Sequence, residues 1–146
     1  MSGAKAFFDT NVLLSMYGGD PGKQARAKEI FRQYTLAGRL VVSTQVVQEF
    51  YAAGSRKLGM PREKLRDAIA ALLDSPLVIV GPSEITTAIQ YEGRYQISFW
   101  DALTLAAAES GGSEVLFTED LNDGQPYGKV VVHNPFCFAD SSSSTP

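Results

Sequence analysis

With 146 residues, 45% of them hydrophobic and 20% charged, the chain has the size and balance of one globular domain around a single core. A single cysteine, Cys137, and a single histidine, His133, exclude an intrachain disulfide and a thiolate zinc site, and both read as ordinary side chains near the C-terminal end. The net charge of -3 argues against nucleic-acid binding by bulk charge, yet it conceals an asymmetry. From Lys23 to Arg66 ten Lys or Arg face three Glu, a local +7, while the remainder sets three against thirteen acids, or -10.

In chain order, the run Lys5 to Phe8 reads as a first buried strand, followed by a short helix from Val12 to Met16. The clearest helix spans Pro21 to about Leu36, with Asp20 as N-cap, Pro21 in the first helical position and Gly38 as the stop. Ala25, Ile30, Phe31 and Tyr34 are expected on its buried side. Strands follow at Leu40 to Val42, Leu77 to Val80, Val115 to Phe117 and Val130 to Val132. Helices are expected at Gln45 to Leu58, Arg62 to Leu73, Glu84 to Tyr91 and Phe99 to Glu109, each bounded by Gly, Pro or Ser. Strands alternating with helices imply right-handed crossovers and an α/β sandwich: a mainly parallel central sheet with helices on both faces. Residues 1–138 are read as the single domain and the polar stretch 139–146 as a flexible tail. No apolar run approaches the roughly 20 residues that span a bilayer, and MSGAKAFFD meets a charge before a signal core can form. The expected location is therefore the cytoplasm.

The acids fall where such a sheet binds ligands. Asp9 follows AKAFF, Asp120 follows VLFTE, and Glu49 lies in the first turns of the helix after LVVS. Open parallel sheets place ligands outside the carboxyl ends of their strands, so these three are delivered to one edge. Asp101 arrives from the first turn of the helix beginning SFWDALTLAAA. Four converging carboxylates repel unless a cation holds them, and oxygen-only ligands favour Mg²⁺ or Mn²⁺. Each acid also has a structural reading: Asp101 completes a capping box with Ser98, Asp9 caps the short helix, Glu49 is a solvated helix position and Asp120 a turn residue. Their joint occurrence at strand ends favours the site. Arg26, Lys28, Arg32, Arg56, Lys57, Arg62, Lys64 and Arg66 read either as solvated helix faces or as phosphate contacts.

Competing motifs are missing. The chain has no G-x-G-x-x-G, no G-x-x-x-x-G-K-[ST] and no G-x-S-x-G. FFDTN places Asp9 as an aspartyl nucleophile of a phosphatase would be placed, but the second acid such a site requires is Asn11 here.

FFDTNVLL, STQVVQEF, FWDALTLAAA and LFTEDLNDGQ followed by NPF resemble the PIN domain, in particular bacterial VapC-type toxins, over Ala4 to Phe136. The resemblance implies a PIN-like three-layer fold, an endoribonuclease that uses Mg²⁺ or Mn²⁺, a homodimer and a cognate VapB-type antitoxin. Asp9 and Asp101 match the acids most directly on the metal, with Glu49 and Asp120 completing the set. Asn11 and Thr118 match polar positions that orient those carboxylates, and Asp123 falls where some members add a fifth acid. The expected reaction is hydrolysis of an RNA phosphodiester by activated water, with Glu49 or Asp120 as proton acceptor and either one ion or two. Basic residues such as Arg56 and Lys57 would contact the RNA backbone. The alternatives are a metal-dependent phosphatase on a similar sheet and a binding module whose acids are structural.

Overall fold

The computed structural model describes residues 3–137. The elements run β1 (Ala6–Phe8), α1 (Thr10–Ser15), α2 (Pro21–Leu36), β2 (Leu40–Ser43), α3 (Thr44–Arg56), α4 (Arg62–Leu73), β3 (Leu77–Val78), α5 (Pro82–Tyr95), α6 (Phe99–Ser110), β4 (Val115–Phe117), β5 (Pro126–Tyr127) and β6 (Val130–His133). The sheet order is β3-β2-β1-β4-β6-β5, parallel throughout except for the antiparallel β5–β6 pair.

This order fixes where the helices go. The chain steps from β1 to β2 to β3 in one direction, then returns past β1 to lay down β4. Right-handed crossovers in opposite directions deposit their helices on opposite faces. Helices α1 to α4 accordingly pack among themselves, α5 packs on α6, and both α2 and α6 also contact the sheet. The direction reverses between β1 and β4, so the crevice at their carboxyl ends is the topological switch point.

Central strands covered on both faces must be apolar throughout, and all of β1 is buried. Phe8 meets the rings of Phe31, Tyr34 and Phe117 edge to face, with centroids 5.8, 5.9 and 5.1 Å away. On α2 it is Ala27, Ile30, Phe31 and Tyr34 that face the core, while Ala25 is exposed. The i, i+3, i+4, i+7 stripe begins at Ala27, two residues beyond Ala25. Helix α6 is buried continuously from Ala102 to Ala108, as befits a helix enclosed between sheet and neighbour.

Helices α1 and α3 shift by one or two residues at their ends, and three further elements differ from the sequence reading for reasons the structure shows. Strand β3 ends at Val78, because the N–H of Val80 leaves the ladder to donate to Thr44 Oγ1 at 3.1 Å. Helix α5 continues through Gly93 to Tyr95 and stops at Gln96, whose φ of 55° is left-handed. The two-residue edge strand β5 was not foreseen, since Pro126–Tyr127 is too short for an alternating pattern and contains a proline tolerated only at an edge. The expected tail, 139–146, lies outside the described residues.

Gly111 closes α6 against the sheet, where a Cβ would stand 2.7 Å from Val78 Cγ2 and 2.9 Å from Val41 Cγ1. Both neighbours are stiff and β-branched, so Gly111→Ala is expected to destabilise the fold by about 1–3 kcal/mol. Urea unfolding would show this as a lower midpoint with an unaltered slope.

Candidate active site

Asp9 leaves β1 in extended conformation and caps α1, with Oδ1 accepting from the N–H of Thr10 at 2.8 Å. Its other oxygen, Oδ2, accepts from Thr118 Oγ1 at 2.8 Å. The helix cap and the contact with Thr118 therefore use different oxygens of one carboxylate. Only 7% of Asp9 is exposed, and burial, opposed by those two hydrogen bonds and reinforced by Asp120 and Glu49, raises its pKa to about 6. A rise from 3.8 to about 6 means that the folded surroundings disfavour the ionised form, relative to water, by roughly 3 kcal/mol.

Thr118 follows β4 and is fully buried. A hydroxyl has one proton and two lone pairs, and all three are used. The proton goes to Asp9, and the oxygen accepts from Asn11 Nδ2 at 3.2 Å and from the Asp120 N–H at 3.1 Å. Asn11 extends the same network, donating through Nδ2 to Asp120 Oδ2 at 3.1 Å and accepting through Oδ1 from the Glu119 N–H at 3.3 Å. The ends of β1 and β4 are thus laced together by side chains beyond the last ladder bonds.

Glu49 comes from α3, which starts without any loop because Ser43 ends β2 and also caps the helix, accepting from the Val46 N–H. Its Oε1 accepts from Thr10 Oγ1 at 2.8 Å and its Oε2 from Gln45 Nε2 at 3.1 Å. Asp101 lies in the first turn of α6, where Ser98 Oγ caps the helix by accepting from the Asp101 N–H at 3.1 Å. The pKa of Asp101 is raised by partial burial and by the charges of Asp120 and Glu49, against a hydrogen bond with Ser98. Asp120 and Glu49 are each felt by both Asp9 and Asp101, which makes the four acids one electrostatic group.

Among the described residues, none of the four acids is in an ion pair, and no three His, Cys, Asp or Glu side chains form a ready-made cage for an ion. The donor set is oxygen only and anionic, the chemistry that suits Mg²⁺ or Mn²⁺ rather than zinc or copper.

The remaining candidates lie elsewhere. Asp123 Oδ1 accepts from the Asn134 N–H at 2.9 Å and stands 4.0 Å from His133 Nδ1, tying its loop to the end of β6. Arg56 and Lys57 stand exposed at the end of α3. Sequence reasoning missed Thr10 and Gln45, the two donors that hold Glu49. Their signals were available: a hydroxyl directly after Asp9, and an amide four residues before Glu49 on one helix. It also missed Lys23, which reaches from α2 to Glu119 across 96 residues and has no local signature.

A model of the PIN domain family matches residues 6–122 of the chain. No curated protein matches it in sequence. A toxin–antitoxin complex from Klebsiella pneumoniae has a similar fold, with TM-score 0.69 and 20% identity over 90% of this chain and 98% of that one. The sarcin-ricin loop cleaving toxin VapC20 of Mycobacterium tuberculosis gives 0.62 and 20% over 80% and 92%. DNA-bound VapBC from Salmonella typhimurium gives 0.65 and 17% over 90% and 98%. At these identities the likeness to solved structures is one of fold.

The raised pKa of Asp101 carries a stability consequence. The folded protein holds that proton to higher pH than the unfolded chain, so in chelator stability falls as pH rises from near 3.8 through the folded value. Asp101→Asn removes the charge and keeps the shape. In EDTA at pH 7.5 it is expected to melt above wild type, with the gap closing toward pH 4. A lower melting temperature for the variant at pH 7.5 would instead mark the carboxylate as a helix-stabilising charge.

Proposed function

The chain belongs to the PIN domain family, and from that membership we propose that it is a Mg²⁺- or Mn²⁺-dependent endoribonuclease, the toxin of a toxin–antitoxin pair. The observation that carries this reading is the buried Asp9 at the switch point, held by Thr118 and sharing its field with Asp120 and Glu49, which Asp101 also feels. A carboxylate costly to ionise, grouped with three others and, among the described residues, in an ion pair with none of the chain's cations, is poorly suited to a purely structural role.

Asp9 and Asp101 would be the principal holders of the ion, with Glu49 and Asp120 completing the set. When bound, the ion activates water and offsets charge on the phosphoryl group. The reaction forms a bond from water oxygen to phosphorus and breaks one phosphorus–oxygen ester bond, whose oxygen leaves as a hydroxyl. The proton lost by the attacking water passes to one of the two exposed carboxylates, Glu49 or Asp120. Thr118 and Asn11 hold Asp9 and Asp120, while Thr10 and Gln45 hold Glu49, so the acids meet the substrate already oriented.

A phosphatase is less well supported. The position where it would need a second acid is Asn11, whose amide is engaged with Asp120, Thr118 and the backbone of Glu119. The toxin reading draws on the neighbours of similar fold, among them a toxin–antitoxin complex, an RNA-loop-cleaving toxin and VapBC. It implies a homodimer in the cytoplasm and a VapB-type antitoxin that presents an Arg or Lys to the carboxylates. Among the described residues, no helix is long and apolar enough to cross a membrane.

Purified Asp9→Asn and Asp101→Asn are each expected to lose RNA cleavage in Mn²⁺ by about 100-fold or more while remaining folded. Cleavage retained by both folded variants would overturn the assignment. Thr118→Val deletes three hydrogen bonds and leaves all four acids, so it is expected to weaken Mn²⁺ activation about 10–100-fold, read as a shifted Mn²⁺ titration of cleavage. Induced expression should arrest growth, and co-expression of the partner should relieve it; normal growth on expression alone would remove the toxin reading and leave the nuclease one.

A further inference from the structure

The outer face of α3 carries a feature that the four acids do not explain. An open groove of about 250 Å³ is lined by Glu49, Ala52, Ala53, Arg56 and Lys57. Residues 49, 52, 53 and 56 share one helical face, so the groove runs along the helix from the acidic site to its cationic end. Seven residues at 1.5 Å each separate Glu49 from Arg56 by about 10 Å. Two alanines form the floor between them, low enough for a sugar–phosphate strand to lie against the helix.

The cations at the far end are free to bind. Among the described residues neither Arg56 nor Lys57 is in an ion pair, whereas Lys23 is paired with Glu119 and Arg26 with Glu29. Other helix-face grooves lack this pairing of features. One along α2, with Lys28 and Arg32, also carries Glu29 and none of the four acids. One on α4 mixes Glu63 and Asp67 with Arg66. Of these three grooves, the one on α3 joins a proposed catalytic acid to cations that are in no ion pair among the described residues.

We propose that this groove is a phosphate clamp, in which Arg56 and Lys57 grip one phosphate of a single RNA strand beside its cleavage point. The inference rests on the ribonuclease reading and adds to it a strand path and a fixed offset. An acidic centre repels the polyanion it must cut, and cations about one Debye length away can hold the strand without neutralising the acids. A stacked strand advances about 3.4 Å per nucleotide, so the gripped phosphate lies within about three nucleotides of the scissile one. The competing explanation is that Arg56 merely complements the dipole at the end of α3.

The test uses the shortest RNA oligonucleotide that the wild-type protein cleaves in Mn²⁺, with single neutral methylphosphonate linkages introduced at each of three positions on either side of the cut. For wild type, one linkage is expected to lower kcat/KM about tenfold, chiefly through KM. In Arg56→Gln/Lys57→Gln, cleavage of the unmodified RNA should already be slower by a similar factor, and the same linkage should then cost nothing more. The dependence of log(kcat/KM) on log salt should also flatten by about 0.7 for the one phosphate released. Lys28→Gln/Arg32→Gln on α2 removes the same charge elsewhere and should retain the position-specific loss. A flat linkage scan in wild type, or equal losses from the α2 and α3 variants, overturns the clamp and leaves the ribonuclease standing. Failure of wild type to cleave any RNA overturns both.

Discussion

The hydrogen bond from Thr118 to Asp9 joins a carboxyl group that burial drives toward neutrality to a hydroxyl whose bonding capacity is already full. Thr118 receives protons from Asn11 and from the Asp120 backbone, so its own proton has one direction left to go. That proton points at Oδ2 of Asp9 and favours the ionised form, opposing part of the desolvation. Asp9 Oδ2, the Asn11 amide and the Asp120 N–H all meet at this one hydroxyl.

The contact exists because of the sheet. Parallel pairing of Phe8 with Phe117 brings the carboxyl ends of β1 and β4 side by side, and the reversal of strand order between them opens the crevice. Rigid connections deliver the other two acids: α3 begins directly after Ser43, the last residue of β2 and its own N-cap, and α6 presents Asp101 in its first turn and is buried over the seven residues that follow. Helix α6 can lie so deep because its buried run is mostly alanine, which lets its backbone approach both the sheet and α5. Packing that looks purely structural is therefore what sets the position of the acids.

Such an arrangement trades stability for chemistry. The raised pKa values of Asp9 and Asp101 mark carboxylates whose ionisation costs the folded protein stability, and their hydroxyl and backbone donors offset only part of that. Any cation that binds only the folded cluster returns the difference by mass action. An RNA substrate, as proposed, is itself a polyanion that such an acidic edge repels. On α3 one helical face carries the acid Glu49 at one end and the cations Arg56 and Lys57 at the other.

Much of this was legible in the residues alone. The alternation of β-branched runs with capped helices announced a parallel α/β sheet, and acids placed after strands marked one edge as the candidate site, because in such sheets strand direction dictates where side chains emerge. Asp9, Glu49, Asp101 and Asp120 needed no coordinates to be singled out as candidates. Tertiary structure decided what depends on distance across the chain. It placed Thr118 against Asp9 over 109 residues and drew Lys23 to Glu119 over 96. It bound Asp123 to Asn134 and left Arg56 and Lys57 open beside Glu49. A sequence carries its local periodicities openly, but the desolvation that raises the pKa of Asp9 depends on every element packed around it, and that sum exists only once the chain has folded.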